Sequence, residues 1–355
     1  MTEKGIRLAY SGYVIFAARI FSAVTSLVFA LILSRELLAT SQKPYDLWYN
    51  ISDLMGWFIL MASAFPFWTM RFAVRQREGS IKTGIFANFI VSAIAFLIYL
   101  LLVPLITGSL GISQAFLPAY FVAGIWIMET YSISILEASL QTKTPQAIGY
   151  GLIVQQISVV ALGYVLIVLL RQLLLGAVLA NVLALFPQII YYFALLAPEL
   201  RQRVRWEYVG EWLKGSLINI YSIIGNQIAS IIFIMLLAYG GDGARGRFGA
   251  GGIIVNVIGY SSFLAYALYP KLLAEKKSED ITTSLKMVLM FAIPLTVGAI
   301  ALSDSYITII TEKYANAAPV LAVLAMDSFV AVVSGLFYNV LLGVETVDEG
   351  KKLSL

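Results

Sequence analysis

An arginine stands in the middle of an otherwise apolar run, LAYSGYVIFAARIFSAVTSLVFALILS, and small or hydroxylated residues recur around it at helical spacing. Gly12, Ser22 and Ser26 fall seven residues before, three after and seven after Arg19, so on a helix they share its face. A guanidinium at mid-membrane depth costs about 2.5 to 3.5 kcal/mol on insertion scales. Arg19 is nine residues from Tyr10 at the end of the run, beyond easy snorkelling reach at about 1.5 Å per residue. Its face must therefore meet protein or water. Two chemistries follow. A guanidinium there can grip a phosphate or diphosphate through paired N–H donors, or it can be half of a structural ion pair with Asp53 or Glu129. The residue types favour both readings equally.

A second stripe, without charge, recurs at Asn219, Ser222, Asn226 and Ser230, with Gln227 beside it and Asn256 in the following apolar stretch. These amides and hydroxyls can hydrogen-bond a polar substrate or tie helices together, the latter worth roughly 0.6 to 2 kcal/mol per contact. Asp53, Glu129 and Asp327 are the acidic groups within apolar stretches; each is a candidate carrier for a coupling sodium ion or proton, and the membrane potential is the other source of drive. No other cofactor is expected. Glu137 sits near a stretch end and reads as solvated, while Arg71 and Arg75 follow the second stretch as a basic mouth. Gly241, Gly243 and Gly246 match G-x-G-x-x-G, but no strand precedes them, so they read as a turn between apolar helices rather than a phosphate cradle.

The elements that must position these groups are membrane helices. Ten apolar stretches, each near the roughly 20 residues that cross a bilayer, lie at 8–34, 46–70, 83–106, 115–139, 147–170, 173–196, 212–238, 249–270, 282–303 and 317–343. Hydrophobic residues make up 60% of the chain and charged ones 12%, which excludes an ordinary soluble domain. Of 24 basic residues, 17 fall on one set of loops and termini and 6 on the other, with Arg19 between, so the basic side and both termini are expected in the cytoplasm of a cell whose plasma membrane the chain spans. The net charge of +4 reflects this anchoring and does not indicate nucleic acid. Cysteine and histidine are absent, which excludes disulfides, thiol catalysis and histidine metal sites.

A weak repeat appears at an offset of 204: Ser22 and Ser26 align with Asn226 and Ser230, Pro66 with Pro270, and Ser80 to Lys82 with Ser284 to Lys286. The basic loops after the second and eighth stretches also coincide. The predicted architecture is therefore all-α and polytopic, with about ten transmembrane helices in two pseudo-symmetric bundles around a central cavity. The expected parts are a six-helix bundle over 1–198, a cytoplasmic linker over 199–211 and an incomplete four-helix bundle over 212–355, as though the chain were shortened at its C-terminus. In the linker region, Leu200, Val204, Tyr208 and Trp212 recur every four residues, which predicts an amphipathic surface helix.

Several segments carry a family resemblance: AARIFSAVTSLVFALILSR, FPFWTMRFAVRQREG, ILEASLQTKTPQAIGYG, ALYPKLL, and IPLTVGAIALSDSYITIITEKYANAAPVLAVLA. They resemble polysaccharide-biosynthesis flippases of the multidrug, oligosaccharidyl-lipid and polysaccharide exporter superfamily over nearly the whole chain. The resemblance implies two six-helix bundles around a cavity, and an arginine in the first span, matched by Arg19, that contacts substrate phosphate. It implies a transporter rather than an enzyme, carrying a polyprenyl-(di)phosphate-linked oligosaccharide to the outer leaflet by alternating access. The bilayer and the lipid-linked sugar are then the partners, with Arg19, Ser22, Ser26, Asn219, Asn226, Gln227, Asn256, Arg71 and Arg75 as substrate contacts. A cation-coupled multidrug exporter of the same superfamily and a membrane glycosyltransferase or polymerase are the alternatives.

Overall fold

The structure, a computed structural model, describes residues 8–265 and 278–344. Those residues form thirteen α-helices and short 3-10 or π turns, with no strand among them. Two compact units divide the chain, Met1–Arg245 and Gly246–Leu355.

In the first unit, α1 (Leu8–Thr40) is continuous through Arg19. The expected second span is broken. α2 (Lys43–Phe58) and α3 (Ala64–Val74) are bent 55° apart across a 3-10 turn at Leu60–Ser63. The cause lies in the sequence, because Pro66 has no N–H to continue the helix of α2 but fits the first turn of α3, where no donor is needed. α4 (Ser80–Ser109), α5 (Leu117–Gln141), α6 (Gln146–Gly163, extended by a π turn over Tyr164–Leu169) and α7 (Leu173–Leu195) follow the predicted spans closely.

Small residues set the packing of α1 on α6. A Cβ on Gly149 would press on Val14, and one on Gly163 would strike the Phe29 ring. Between them, the Thr25 hydroxyl donates to Gln156 Oε1 at 2.8 Å.

The linker departs from expectation. Glu199–Arg201 is one 3-10 turn, Gln202 is extended, and the next helix, α8 (Trp206–Ala229), begins at Trp206. The extended segment is a strap that caps α4. Gly79 N donates to Gln202 Oε1 at 2.6 Å, and Arg205 N donates to Thr83 Oγ1 at 2.8 Å. A continuous surface helix would forfeit both bonds. Trp212 is fully buried against Phe65, Phe72 and Tyr208, so the first unit runs past the linker and takes in α8 and α9 (Ile231–Tyr239), which are separated by a break at Ser230.

α10 (Ala244–Gly259) leads into the second unit, which contains α11 (Ser278–Ala301), α12 (Ser303–Ile310) and α13 (Ala318–Val344). Val288 and Ala292 of α11 pack on Val332 and Leu336 of α13. Seven helices of the described residues are long and apolar enough to span a membrane, eight if the bent α2–α3 pair is one span. The expected spans at 212–238 and 249–270 correspond to α8–α9 and to α10 with the 3-10 turn Tyr260–Ala265, and positions 266–270 of the second span lie outside the described residues.

Candidate functional site

Arg19 projects from α1 and is exposed, while the adjacent Ala18 is fully buried. Among the described residues it makes no ion pair with either predicted partner. Asp53 belongs to another cation: Arg245 Nε and Nη2 hold its two oxygens at 2.6 and 2.7 Å, with the paired side chains 7% and 9% exposed. The Tyr49 and Phe233 rings lie 4.8 and 5.0 Å from that guanidinium. Glu129 is 3% exposed, and neither carboxylate oxygen has a hydrogen-bond partner among the described residues. The structural ion pair considered for Arg19 is thus corrected. Its electrostatic neighbour is Glu137 on α5, a residue the sequence placed in solvent.

Glu137 is half-buried within a polar cluster built by three helices. The fully buried Tyr192 of α7 places its hydroxyl 3.0 Å from the Ile148 carbonyl and 3.4 Å from Glu137 Oε1, and it accepts from Gln188 Nε2 at 2.9 Å. One hydroxyl proton serves the shorter contact better. Glu137 Oε1 accepts from that hydroxyl only at the longer distance, and its charge interacts with Arg19 of α1. Gly151 of α6 makes this arrangement possible, since a Cβ there would collide with the Tyr192 ring. Further along α1, the Tyr10 and Tyr150 hydroxyls are 2.6 Å apart, a second polar bridge to α6. Arg19 therefore lies on a helix tied to α6 by polar bridges at Tyr10–Tyr150 and Thr25–Gln156, with the Glu137 carboxylate as its electrostatic neighbour. An exposed guanidinium with Ser22 one turn along its own helix is suited to a phosphate, whose oxygens take charge-assisted bonds from planar paired donors.

The other predicted residues belong to several elements. Ser22 is half-buried and Ser26 exposed on α1 beside Arg19. Gln227 packs its amide against Gly56 of α2. The side chains of Asn219 and Asn226 lie outside the described residues. Arg71 and Arg75 are exposed at the end of α3, where the Arg71 guanidinium lies 4.2 Å from the Phe67 ring centre. Asn256 and Asp327 are both exposed in the second unit.

The glycine turn after α9 behaves as read, with Gly241 and Gly243 at φ of 78° and 80°. It also does more. Gly243 N donates to Asp46 Oδ2 at 2.7 Å, so this turn and Arg245 together engage both acidic residues of α2. Asp46 and Asp53 are seven apart, on one helical face, and that spacing was the available signal.

No protein-family model and no curated protein matches the chain. Solved structures do match. A multidrug resistance MATE family transporter of the MOP superfamily in its inward-facing conformation aligns at TM-score 0.65 and 12% identity, over 91% of this chain and 82% of its own. A point mutant of the Vibrio cholerae MATE transporter VcmN aligns at TM-score 0.67 and 14% identity, over 95% and 84%. A MOP superfamily transporter from Pyrococcus furiosus, described as having a binding pocket of reverse polarity, aligns at TM-score 0.63 and 13% identity, over 97% and 86%. The chain is a multi-pass helical membrane protein with the fold of these transporters.

Proposed function

We propose that the chain is a membrane transporter that moves a polyprenyl-(di)phosphate-linked oligosaccharide from the cytoplasmic to the outer leaflet by alternating access. The observation that carries this reading is Arg19. It is a cation in a candidate span, exposed rather than buried, with no ion pair among the described residues and a lone carboxylate as its electrostatic neighbour. The cost of holding such a charge in a membrane is offset when an anionic substrate supplies the partner. Arg19 holds the phosphate, Ser22 and Ser26 add hydroxyl contacts on the same face, and Arg71 and Arg75 draw the headgroup toward the mouth. Asn219, Asn226, Gln227 and Asn256 serve the sugar. Glu129 is the carboxylate we assign to ion coupling, because its two buried oxygens accept from no donor among the described residues and so stay open to a proton or sodium ion.

The matched multidrug transporters favour a second reading, cation-coupled drug export. A substrate-facing arginine repels cationic drugs, and the binding pocket described for the Pyrococcus furiosus protein is likewise one of reverse polarity. Proteoliposomes holding a fluorescent polyprenyl-diphosphate sugar separate the two. The flippase reading expects wild-type protein to translocate the sugar lipid, Arg19→Ala to lose translocation while inserting normally, and Arg19→Lys to keep part of it. Efflux of a quaternary ammonium dye with no movement of the lipid would establish the drug exporter instead.

A further inference from the structure

On the first unit, a groove of about 460 Å³ runs between the start of α4, the middle of α5 and the end of α7. Phe86, Phe89, Ile135, Phe193 and Leu200 line it, and Lys82 is the one charged group on its wall among the described residues. The other polar side chain there, Ser132, already spends its hydroxyl proton on the Met128 carbonyl at 2.8 Å. The walls are otherwise hydrocarbon. Phe86 and Phe89 are 45% and 53% exposed on a helix long and apolar enough to span the bilayer, so the groove opens toward lipid.

Lys82 lies in the first turn of α4, at a membrane interface, and makes no ion pair among the described residues. The acid nearest the groove along the strap is already engaged, since Glu199 takes Lys143 Nζ at 2.8 Å and Gln202 Nε2 at 2.5 Å. Arg201 at the end of the 3-10 turn and Arg203 of the strap are exposed. The local charge is therefore positive at the head of an apolar slot. On α5, Ser132 and Ile135 leave on the side opposite Glu137, so this groove is separate from the Arg19 cluster.

We propose that this groove binds one acyl chain of an anionic phospholipid of the leaflet at the Lys82 end, with its phosphate paired to the Lys82 ammonium. Charge complementarity selects the headgroup and the phenylalanine walls hold the chain. Basic sites between helices at the anionic leaflet recognise lipids in this way. The site stands apart from any transported substrate and holds whether or not the protein is a flippase.

The test is retention of lipid by the full chain, purified in detergent and read by native mass spectrometry after exposure to phosphatidylglycerol or phosphatidylcholine of the same chains. Wild-type protein is expected to retain phosphatidylglycerol preferentially. Lys82→Met, which keeps the alkyl stem, is expected to lower that retention roughly five- to tenfold, and Lys82→Arg to restore it. Leu200→Trp, at a partly buried lining position, fills the slot, leaves the charge in place, and is expected to lower it too. Inorganic phosphate at matched concentration should not displace the lipid. Equal retention of the two lipids by wild type, or unchanged phosphatidylglycerol retention in Lys82→Met, overturns the proposal. So does displacement by inorganic phosphate, which would make the site one for free anions. Phosphatidylcholine retention at wild-type level in Lys82→Met, and a wild-type melting temperature in the slot-filling variant, report that the fold is intact.

Discussion

At the level of single residues, Arg19 and Glu137 hold opposite charges within electrostatic reach, yet Arg19 stays exposed and outside ion-pair distance of every described carboxylate. A phosphate that binds Arg19 competes with Glu137 for the same charge. Glu137→Gln removes the competitor and keeps the shape, so the affinity for a polyprenyl diphosphate is expected to rise up to about fivefold, the worth of a partly exposed pair. Weaker binding in this variant would make Glu137 a support for Arg19 rather than its rival. Glu129 makes a different demand, because a buried carboxylate without donors costs stability whenever it is charged. Glu129→Gln is expected to leave the melting temperature unchanged or higher while abolishing the response of transport to an imposed ion gradient. A lower melting temperature with coupling intact would remove Glu129 from that role. Arg19 was legible in the sequence as the lone charge of an apolar run. Glu137 was not, because its partner lies on another helix and proximity to a span end imitates solvation.

At the level of elements, α2 is fixed at its far end by the turn after α9. The bidentate Arg245–Asp53 pair sits under two aromatic rings, and the Gly243 amide holds Asp46. Removing one partner of a buried pair leaves an uncompensated charge, so Arg245→Ala should cost about 3 to 5 kcal/mol in thermal unfolding. The double substitution Asp53→Leu with Arg245→Met should recover most of that loss. If the double variant is as unstable as the single one, the pair owes its effect to packing rather than charge. The seam between α6 and α7 depends on Gly151 in the same way. Gly151→Ala drives a methyl group into Tyr192, and a loss of about 1 to 3 kcal/mol is expected. The helices themselves were readable from apolar runs, and the final expected spans match α11 and α13 to within four residues at each end. Hydropathy did not reveal the bend between α2 and α3 or the extended strap at Gln202–Arg205. Window averages carry no information on the missing N–H of Pro66, nor on side-chain caps offered by residues more than a hundred positions away.

For the whole molecule, the loop charges set an orientation that the cysteine-free sequence makes simple to measure. Single cysteines at Arg201 and Glu312, both outside the core, should differ in reactivity toward an impermeant maleimide in intact cells. Glu312→Cys is expected to label and Arg201→Cys to label only after permeabilisation; the reverse pattern would invert the topology and with it the direction of transport. The repeat at offset 204 aligned Ser26 with Ser230, but α1 is unbroken at the first position and the α8–α9 helix breaks at the second, so similarity of residue type did not carry similarity of backbone. Substrate identity rests finally on whether the guanidinium of Arg19 reads a phosphate, and the direct measurement is the affinity of the purified protein for a polyprenyl diphosphate against the uncharged polyprenol of equal length. The diphosphate should bind about tenfold tighter or more, with the preference lost in Arg19→Ala and partly kept in Arg19→Lys. Equal affinity for the two lipids, or a preference that survives Arg19→Ala, would contradict an anion-reading role for this residue.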